Sequence, residues 1–382
     1  MKTILPGATI GILGGGQLGR MLALSAQQMG YRVIAYTPDQ DSPVSQVCYK
    51  TIVAPFEDLD AVKLFCQEAR IVTFEFENIP RQTVEQVREC TRLAPSVQAL
   101  YVSQNRLREK TYLSDHGFPV VPFYHVNSAD SLEAAINKVG LPAVLKTSGY
   151  GYDGKGQRFV DTPESAREAY MVSVGQSDCI MEKYMHFEKE VSVIVARGAY
   201  GEVKAFGPIE NVHRNHILDI SSVPARINWR LASEAVEMAC GVAESLDIIG
   251  LLCVEFFICD HDRLLINEIA PRPHNSGHYS LEACATSQFE QHIRAITGLP
   301  LGKTEPHSAA AMANLLGDLW TGGEPEWSYT LEIPDVHLHL YGKTQARPGR
   351  KMGHLTACSR WTEEAQELVL KARDRLAAAR IG

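Results

Sequence analysis

The N-terminal segment ATIGILGGGQLGR constrains the fold more than any other part of the chain. Its apolar run is typical of a buried strand, its glycines of a tight turn, and the residues that follow have helical periodicity. Gly14-x-Gly16-x-x-Gly19 matches the motif that binds dinucleotides in Rossmann-type domains. Asp39 follows about 20 residues later, where that motif has a ribose-binding acid. The segment predicts a strand, turn and helix of a parallel sheet, and it makes a nicotinamide-dependent oxidoreductase one functional hypothesis.

The alternation of strands and helices continues to about residue 100. RVIAY and IVTFEF have the apolar character of buried strands, and PRQTVEQVREC has helical periodicity. Such alternation produces a parallel sheet covered on both faces, and ligands bind beside the carboxyl ends of its strands. Two polar segments, Gly14–Gly19 and Glu75–Asn78, follow strands directly, so we expect them at that edge.

Beyond residue 102 the pattern predicts a second unit and a less regular C-terminal part. SQNRLREKTYLSDHG predicts one helix over 103–117, capped by Ser103 and ended by Gly117. Further predicted elements, in chain order, are a helix from near Ser128, the strands PAVLK, CIMEKYM and EVSVIVARG, a helix at about 231–246, the strands LLCVEFFIC, RLLINEIAP, AAMANLLG and VHLHLYGK, the basic loop RPGRKMGH, and a terminal helix over 362–380.

Composition excludes several classes of protein. With 382 residues, 45% hydrophobic and 21% charged, the chain can bury two or three packed units. The formal charge of −8 and the absence of a Lys/Arg-rich run argue against a nucleic-acid or anionic-membrane partner. No apolar run reaches the ~20 residues that span a bilayer. Nine cysteines without a C-x-x-C pair indicate reduced thiols and a cytoplasmic location.

Two glutamates stand inside strongly apolar strands of a predicted hairpin. Glu255 lies in LLCVEFFIC and Glu268 in RLLINEIAP, and a buried carboxylate without a partner is costly. Carboxylates on adjacent strands could hold Mg²⁺, with Asn267 supplying a further oxygen. The alternative is a pair of salt-bridged core acids. Arg272 could neutralise either these acids or a phosphate.

Lys146 ends the strand PAVLK and directly precedes the glycine loop TSGYGYDGKGQ. A lysine in this place can set its ammonium against phosphates while loop N–H groups close over them. The loop lacks the Walker A pattern and is more typical of a flexible lid. A plain surface hairpin is the alternative.

The stretch IMEKYM at 180–185 ends a strand and turns. Backbone groups at such an edge can hydrogen-bond a purine whose ring the Met and Tyr side chains sandwich, and Glu190 could take ribose hydroxyls. A Met and aromatic cluster in the core is the alternative. The histidine pairs His213/His216 and His274/His278 lack a third ligand nearby in sequence, so we predict polar pocket residues rather than a zinc site.

The order of these motifs resembles the ATP-grasp superfamily of carboxylate–amine ligases. More narrowly, GGGQLGRM, TFEFENIP, GYDGKGQ, EKYM, NEIAPRPHNSGHYS and RPGRKMGH resemble the 5-(carboxyamino)imidazole ribonucleotide synthase family, over residues 13 to 354. The resemblance implies an α/β (α+β ATP-grasp) fold. Its parts would be a Rossmann-like parallel-sheet domain at 1–102, a two-lobed ATP-grasp domain at 103–300 with a lid lobe at about 118–190, and a small C-terminal domain at 301–382.

The family reaction uses ATP and bicarbonate to carboxylate the exocyclic amine of 5-aminoimidazole ribonucleotide through carboxyphosphate. The resemblance implies this activity, two Mg²⁺ ions and a homodimer. It places on ATP Arg106, Lys146, Gly151, Tyr152, Asp153, Gly154, Lys155, Gly156, Glu182, Lys183, Tyr184, Met185, Glu190, His213, Asn267 and Glu268. It places on the metal Glu255 and Glu268.

For the acceptor ribonucleotide the resemblance implies Gly16, Gln17, Glu75, Asn78, His274, Asn275, Ser276, Lys343, Arg350 and Lys351. Gly16 and Gln17 would bind its phosphate or ribose through N–H groups at a helix start, and the three basic residues its 5′-phosphate, although a solvated basic loop is the alternative. The implied catalytic residues are Asp153, Arg272 and Lys343, with Asp153 contacting the amine or assisting its proton transfer.

Two departures and three rival functions accompany the resemblance. Many family members have arginine where this chain has Thr147–Tyr150, and Arg106 stands where many ATP-grasp enzymes outside the family have lysine. The rivals are another acyl-phosphate-forming ligase such as formate-dependent glycinamide ribonucleotide transformylase, the NAD(P)-dependent oxidoreductase, and a non-catalytic nucleotide-binding protein.

Overall fold

The computed structural model describes residues 2–149, 156–173 and 178–378. Its first part is a five-stranded parallel sheet in the order β3-β2-β1-β4-β5. The strands are β1 (Thr9–Leu13), β2 (Arg32–Thr37), β3 (Lys50–Val53), β4 (Ile71–Phe74) and β5 (Arg92–Leu93). The helices are α1 (Gln17–Gln28), α2 (Leu59–Glu68), α3 (Arg81–Cys90) and α4 (Val97–Ser103). Separate apolar cores cover the two faces of this sheet, as the alternation of elements predicts.

A four-stranded antiparallel sheet forms the second part, in the order β6-β9-β7-β8. Its elements, with the helix that precedes them, are α5 (Arg106–Asp115), β6 (Phe123–Val126), α6 (Ala129–Val139), β7 (Ala143–Thr147), β8 (Gln157–Val160), α7 (Pro163–Ser173) and β9 (Cys179–Lys183). Leu132 and Ala135 of α6 and Ala166 and Ala169 of α7 pack in the apolar core on this sheet.

An eight-stranded antiparallel sheet is the largest layer. Its strands are β10 (Phe187–Arg197), β11 (Val203–Arg214), β12 (Ile217–Val223), β13 (Gly250–Cys259), β14 (Arg263–Ala270), β15 (Ala309–Leu316), β16 (Val336–Leu340) and β17 (Lys351–Ser359). Their order in space is β14-β13-β10-β11-β12-β15-β17-β16. The accompanying helices are α8 (Trp229–Ser245), α9 (Ser280–Ala283), α10 (Gln288–Thr297), α11 (Ser328–Leu331) and α12 (Thr362–Ala378). Because β12 pairs with β15, the C-terminal strands continue the sheet that carries the central ones.

Two predicted elements differ from the structure. The helix expected over 103–117 is broken: Ser103 ends α4, and Asn105 caps α5 by accepting a 3.0 Å hydrogen bond from the Arg108 N–H. Asn105 is held extended because it bridges to Gly149, a contact distant in sequence. RPGRKMGH is not entirely a loop, since Lys351 opens β17. Pairing with β15 and β16 produces this strand although its local sequence has little strand character.

The predictions about disulfides and membrane spans can be compared with the structure. All nine cysteines lie in the described part of the chain, and none forms a disulfide. Among the described helices, none is both long and apolar enough to cross a membrane.

Candidate active site

A cleft of about 980 Å³ lies where the carboxyl edge of the parallel sheet meets the four-stranded sheet and the β13–β14 hairpin. Residues predicted from separate motifs come together along its walls. Those that line it are Gly16, Gln17, Glu75, Asn78, Arg106, Lys146, Glu182, Lys183, Tyr184, Met185, Glu190, His213, Glu255, Asn267, Glu268, Arg272, His274, Asn275 and Lys351.

The other predicted residues lie behind the cleft, near it or outside the description. Ser276 is fully buried behind His274, and Lys343 donates from Nζ to the Lys351 carbonyl at 2.6 Å. Arg350 donates to the Gln345 carbonyl at 2.6 Å, and Gly156 adjoins Thr147 with a φ of +73°. The predicted loop residues Gly151, Tyr152, Asp153, Gly154 and Lys155 lie outside the described residues.

The helix start at Gly16 is occupied by a carboxylate of the protein. Gly16 and Gly19 donate their N–H groups to Glu75, the second at 2.6 Å to Oε2. That Gly16 and Gln17 bind the phosphate or ribose of the substrate stays a prediction, and in this structure the Glu75 carboxylate takes the anion position at the helix start. Burial raises the pKa of Glu75 above its ordinary value, although both N–H groups and the Lys343 and Arg272 charges oppose that rise.

An ionic cluster of one carboxylate and two ammonium groups forms the wall beside the four-stranded sheet. Glu182 on β9 lies 2.7 Å from Lys146 Nζ on β7 and 3.9 Å from Lys110 Nζ on α5. Burial alone would raise the pKa of Glu182, but these two ammonium groups lower it below its ordinary value. Lys146, the predicted phosphate ligand, therefore lines the cleft with its ammonium group beside a carboxylate that neutralises part of its charge.

The β13–β14 hairpin pairs the two strand glutamates directly, with Glu255 opposite Glu268. Glu255 Oε1 lies 2.9 Å from His274 Nε2. Burial opposes its ionisation, but His274, His213 and Arg272 together lower its pKa to about 2. Burial and the neighbouring Glu255 charge raise the pKa of Glu268. Arg106, Lys146 and His274 oppose this rise only in part, and a divalent cation beside the two carboxylates would oppose it further.

Apolar side chains form a further wall near the predicted purine segment. Tyr184 packs edge-on against Phe159 at 5.0 Å between ring centroids, and Phe187 stacks on Phe257 at 4.5 Å. The N–H groups of Lys183 and Tyr184 bind the carbonyls of Pro122 and Pro142. A purine here would depend on the aromatic walls and on other backbone groups.

Glu190 and His213 face each other across β10 and β11, joined by a hydrogen bond from the imidazole Nδ1. Burial opposes protonation of His213, but Glu190 offsets it and the pKa of the imidazole is raised. Asn275, by contrast, is buried with both amide atoms lacking a hydrogen-bond partner among the described residues. Such an unsatisfied amide in a cleft points to a polar ligand.

Three cleft-side residues were missed by the sequence analysis. Glu109 and Lys110 are buried on α5, and Glu77 forms a 2.8 Å ion pair with Arg272 Nε. Glu77 stands within the segment EFEN at a strand end, which was a usable signal. RLREKTYLSD carries no comparable signal, because charged residues occur all around α5 and no face is distinctly apolar.

Comparison with known proteins supplies an independent view of the chain. Family models match residues 7–104 (ribonucleotide synthetase preATP-grasp domain), 111–289 (ATP-grasp domain) and 310–368 (phosphoribosylaminoimidazole carboxylase C-terminal domain). An N5-carboxyaminoimidazole ribonucleotide synthase from Bacillus subtilis is 43% identical over 98% of both chains.

Solved structures agree with these matches. An N5-carboxyaminoimidazole ribonucleotide synthetase in an ADP complex has a TM-score of 0.93 at 42% identity, with both chains fully covered. The Aspergillus clavatus synthase in complex with ADP and 5-aminoimidazole ribonucleotide has a TM-score of 0.88 at 30% identity and covers 97% of this chain and 99% of its own.

Proposed function

The chain belongs to the N5-carboxyaminoimidazole ribonucleotide synthase family of ATP-grasp ligases, and from this premise we propose how its cleft carries out the reaction. The enzyme uses ATP to carboxylate 5-aminoimidazole ribonucleotide, giving N5-carboxyaminoimidazole ribonucleotide in purine biosynthesis. We infer the carboxyl donor, the metal and the role of each residue. The observation that carries these proposals is one cleft holding a charge-deficient carboxylate pair beside the cations Lys146 and Arg272.

The carboxyl donor is bicarbonate, and carboxyphosphate is the intermediate. Bicarbonate is a poor electrophile, so its phosphorylation precedes carbon transfer. A bicarbonate oxygen attacks the γ-phosphorus of ATP, the bond to the bridging oxygen breaks and ADP leaves. Carboxyphosphate then releases CO₂ and phosphate, and the exocyclic amine attacks CO₂ and loses a proton. Asp153 is the proposed acceptor of that proton.

Glu255 and Glu268 are the proposed Mg²⁺ ligands, with Asn267 as a further oxygen donor for one or two ions. Their fit is supported by the register of the hairpin and by the raised pKa of Glu268, which burial and then the neighbouring Glu255 charge cause. Bound Mg²⁺ would neutralise charge on the transferring phosphoryl group.

ATP would lie between the ionic cluster and the apolar wall. Arg106 and Lys146 would bind its phosphates, and Glu190 its ribose, with His213 beside it. Support comes from their shared cleft and from the Lys146 ammonium, which donates to Glu182 as its one hydrogen bond to a described residue and so has further donors for phosphate oxygens. Lys183, Tyr184 and Met185 would border the adenine.

The acceptor ribonucleotide would occupy the end of the cleft at the parallel sheet. Glu75 and Asn78, with Gly16 and Gln17, would contact its ribose. Lys343, Arg350 and Lys351 would bind its 5′-phosphate, because Glu75 already accepts the N–H groups at the helix start. His274, Asn275 and Ser276 would line the shared region, and Arg272 would face bicarbonate, held in place by Glu77.

We also propose a homodimer, a cytoplasmic location and the domain limits 1–102, 103–300 and 301–382. The family-model boundaries support the limits, and the absence of disulfides in the described part of the chain supports a reducing compartment. Sedimentation of the purified chain tests the dimer.

The deciding experiment measures ADP release with ATP, Mg²⁺, bicarbonate and 5-aminoimidazole ribonucleotide. We expect the ribonucleotide to accelerate ADP release only when bicarbonate is present, and oxygen-18 from labelled bicarbonate to appear in the released phosphate. Formate with glycinamide ribonucleotide is the matched control for the rival ligase. Phosphate free of the label would rule out carboxyphosphate, and no acceleration by the ribonucleotide would overturn the assignment of substrates.

A further inference from the structure

Three different kinds of metal ligand meet on one side of β13. Cys253 and Glu255 are two residues apart on the strand, so their side chains share a face. His274, from the segment after β14, brings its Nε2 to 2.9 Å from Glu255 Oε1. One ligand atom of each residue lies within 4.8 Å of the other two. No third ligand lies near His274 in the sequence, because Cys253 and Glu255 come from β13.

The chemistry of this trio suits a thiophilic cation. Tetrahedral Zn²⁺, with bonds of about 2.0–2.1 Å to nitrogen and oxygen and about 2.3 Å to sulfur, has ligand atoms about 3.3–3.6 Å apart. The Glu255–His274 pair is within a few tenths of an ångström of that spacing. Mg²⁺ prefers oxygen ligands and binds thiols poorly.

The surroundings orient the ligands and leave a route to them. Ser276 Oγ lies 2.8 Å from His274 Nδ1. Ligating histidines commonly have the other ring nitrogen held in this way. Glu255 and His274 line the cleft, while Cys253 closes the trio on the core side. The nearby Arg272 would repel a cation, but Glu77 pairs with it at 2.8 Å.

We propose that Cys253, Glu255 and His274 form a binding site for a thiophilic divalent cation such as Zn²⁺, and that its occupation inhibits the enzyme. Binding releases the thiol proton, the His274 imidazole carries its N–H on Nδ1, where Ser276 Oγ can accept it, and the cleft side supplies the open fourth position. Inhibition follows because Glu255 cannot serve Zn²⁺ and Mg²⁺ together. This last step rests on the proposed Mg²⁺ role of Glu255, whereas the binding step does not.

Cobalt titration of the nucleotide-free enzyme tests the binding step. We expect one Co²⁺ per chain with a sulfur-to-cobalt charge-transfer band in the near ultraviolet, displaced by Zn²⁺. Cys253→Ser and Cys253→Ala should remove the band, whereas Cys66→Ala, which changes another buried cysteine, should keep it. Circular dichroism shows whether each variant is folded, and the second variant keeps the test decisive if the first one does not fold. A wild-type enzyme without the band, or a band that persists in either folded variant, overturns the proposal.

Inhibition is measured separately, with Zn²⁺ added at fixed Mg²⁺. We expect Zn²⁺ to slow ADP release by the wild type, a chelator to restore it, and Cys253→Ser to need at least about tenfold more Zn²⁺ for the same effect. A cobalt band together with unchanged sensitivity of Cys253→Ser would refute the inhibitory role and leave the binding site. Loss of the Mg²⁺ role of Glu255 would instead appear as Zn²⁺ inhibition that Mg²⁺ does not relieve.

Discussion

Two groups of buried carboxylates lie in one cleft and differ in how their charge is balanced. Glu182 sits between the ammonium groups of Lys146 and Lys110, which lower its pKa. Glu268 faces Glu255 across the hairpin, and its pKa is raised. Glu255 already has His274 as a partner, so the deficit falls on Glu268.

This difference separates a structural ion pair from a ligand site. Burial of a carboxylate does not by itself indicate a metal, because Glu182 is also buried and two ammonium groups of the protein lie beside it. A buried carboxylate whose nearest charged neighbour has the same sign needs something that the protein does not supply. The comparison predicts opposite results when each group is changed.

The largest effect is expected from Glu268→Gln, which removes the unbalanced charge and keeps the side-chain shape. Mg²⁺-dependent ADP formation should fall at least about a thousandfold, because charge stabilisation of the phosphoryl group is lost. Thermal stability without metal should not fall, since the charge was unfavourable there. ADP release against Mg²⁺ concentration measures the effect, and the exposed Glu188→Gln serves as control. Turnover that stays dependent on Mg²⁺ in Glu268→Gln would contradict the comparison.

Lys110→Met should act on stability, in contrast to Glu268→Gln. Removing a fully buried cation leaves Glu182 with one partner, and breaking such buried pairs costs about 3 kcal/mol. Urea unfolding measures the loss, and adding Glu182→Gln to Lys110→Met should restore part of it. The exposed Lys50→Met, whose partner is Glu68, is the matched control. Equal stability of Lys110→Met and wild type would show that the cluster is not balanced by Lys110.

The ionic group around Glu210 makes the stability of the protein depend on pH. Burial opposes ionisation of Glu210, but hydrogen bonds from Arg226 and Lys189 lower its pKa from 4.5 to about 2. Because the folded-state pKa is the lower one, this stabilisation is present above pH 4.5 and disappears as the pH falls towards 2.

Glu210→Gln should therefore reduce the free energy of unfolding near neutral pH by about 2 kcal/mol after allowance for solvent screening. The difference between wild type and Glu210→Gln should shrink between about pH 4.5 and about pH 2. Denaturant unfolding over that range is the measurement. A difference that does not change with pH would exclude Glu210 as the titrating group.

The smallest effect is expected where pairing occurs without burial. Arg167 Nε lies 2.6 Å from Glu133 Oε1 between α7 and α6, with both side chains about half exposed. Solvent and salt screen such pairs. Arg167→Ala should leave the unfolding midpoint unchanged within measurement error at physiological salt. A clearly lower unfolding midpoint for Arg167→Ala would mean that ion pairing stabilises the protein even without burial, contrary to the comparison of the two buried groups.

The sequence was informative where a residue contradicts its surroundings. Glu255 and Glu268 were predictable because each interrupts an apolar strand, and their adjacency followed from a short hairpin turn. The parallel sheet was predictable because its strands and helices alternate in simple order.

Contacts distant in sequence account for what was missed. Lys110 lies on a polar helix whose pattern does not distinguish it, and only the approach of β9 brings Glu182 to it. Cys253 looked like an ordinary apolar strand residue until His274 was placed beside it. β17 depends on its two neighbouring strands. The sequence predicted an anion at the helix start at Gly16 but did not indicate that the Glu75 carboxylate would lie there.

The turn at Gly14–Gly19 has a consequence for engineering the N-terminal domain. Gly14 has a φ of +118°, and a Cβ at Gly16 would come within 2.7 Å of Glu75 Oε1. A side chain at Gly14 or Gly16 would collide with the Glu75 carboxylate. The glycine motif therefore fits an internal carboxylate here, and the motif alone does not show that a cofactor binds. A designer who wants a dinucleotide site in this scaffold has the turn and helix in place and must first replace residue 75. Replacing Glu75 would free the N–H groups of Gly16 and Gly19 to bind an anion from solution.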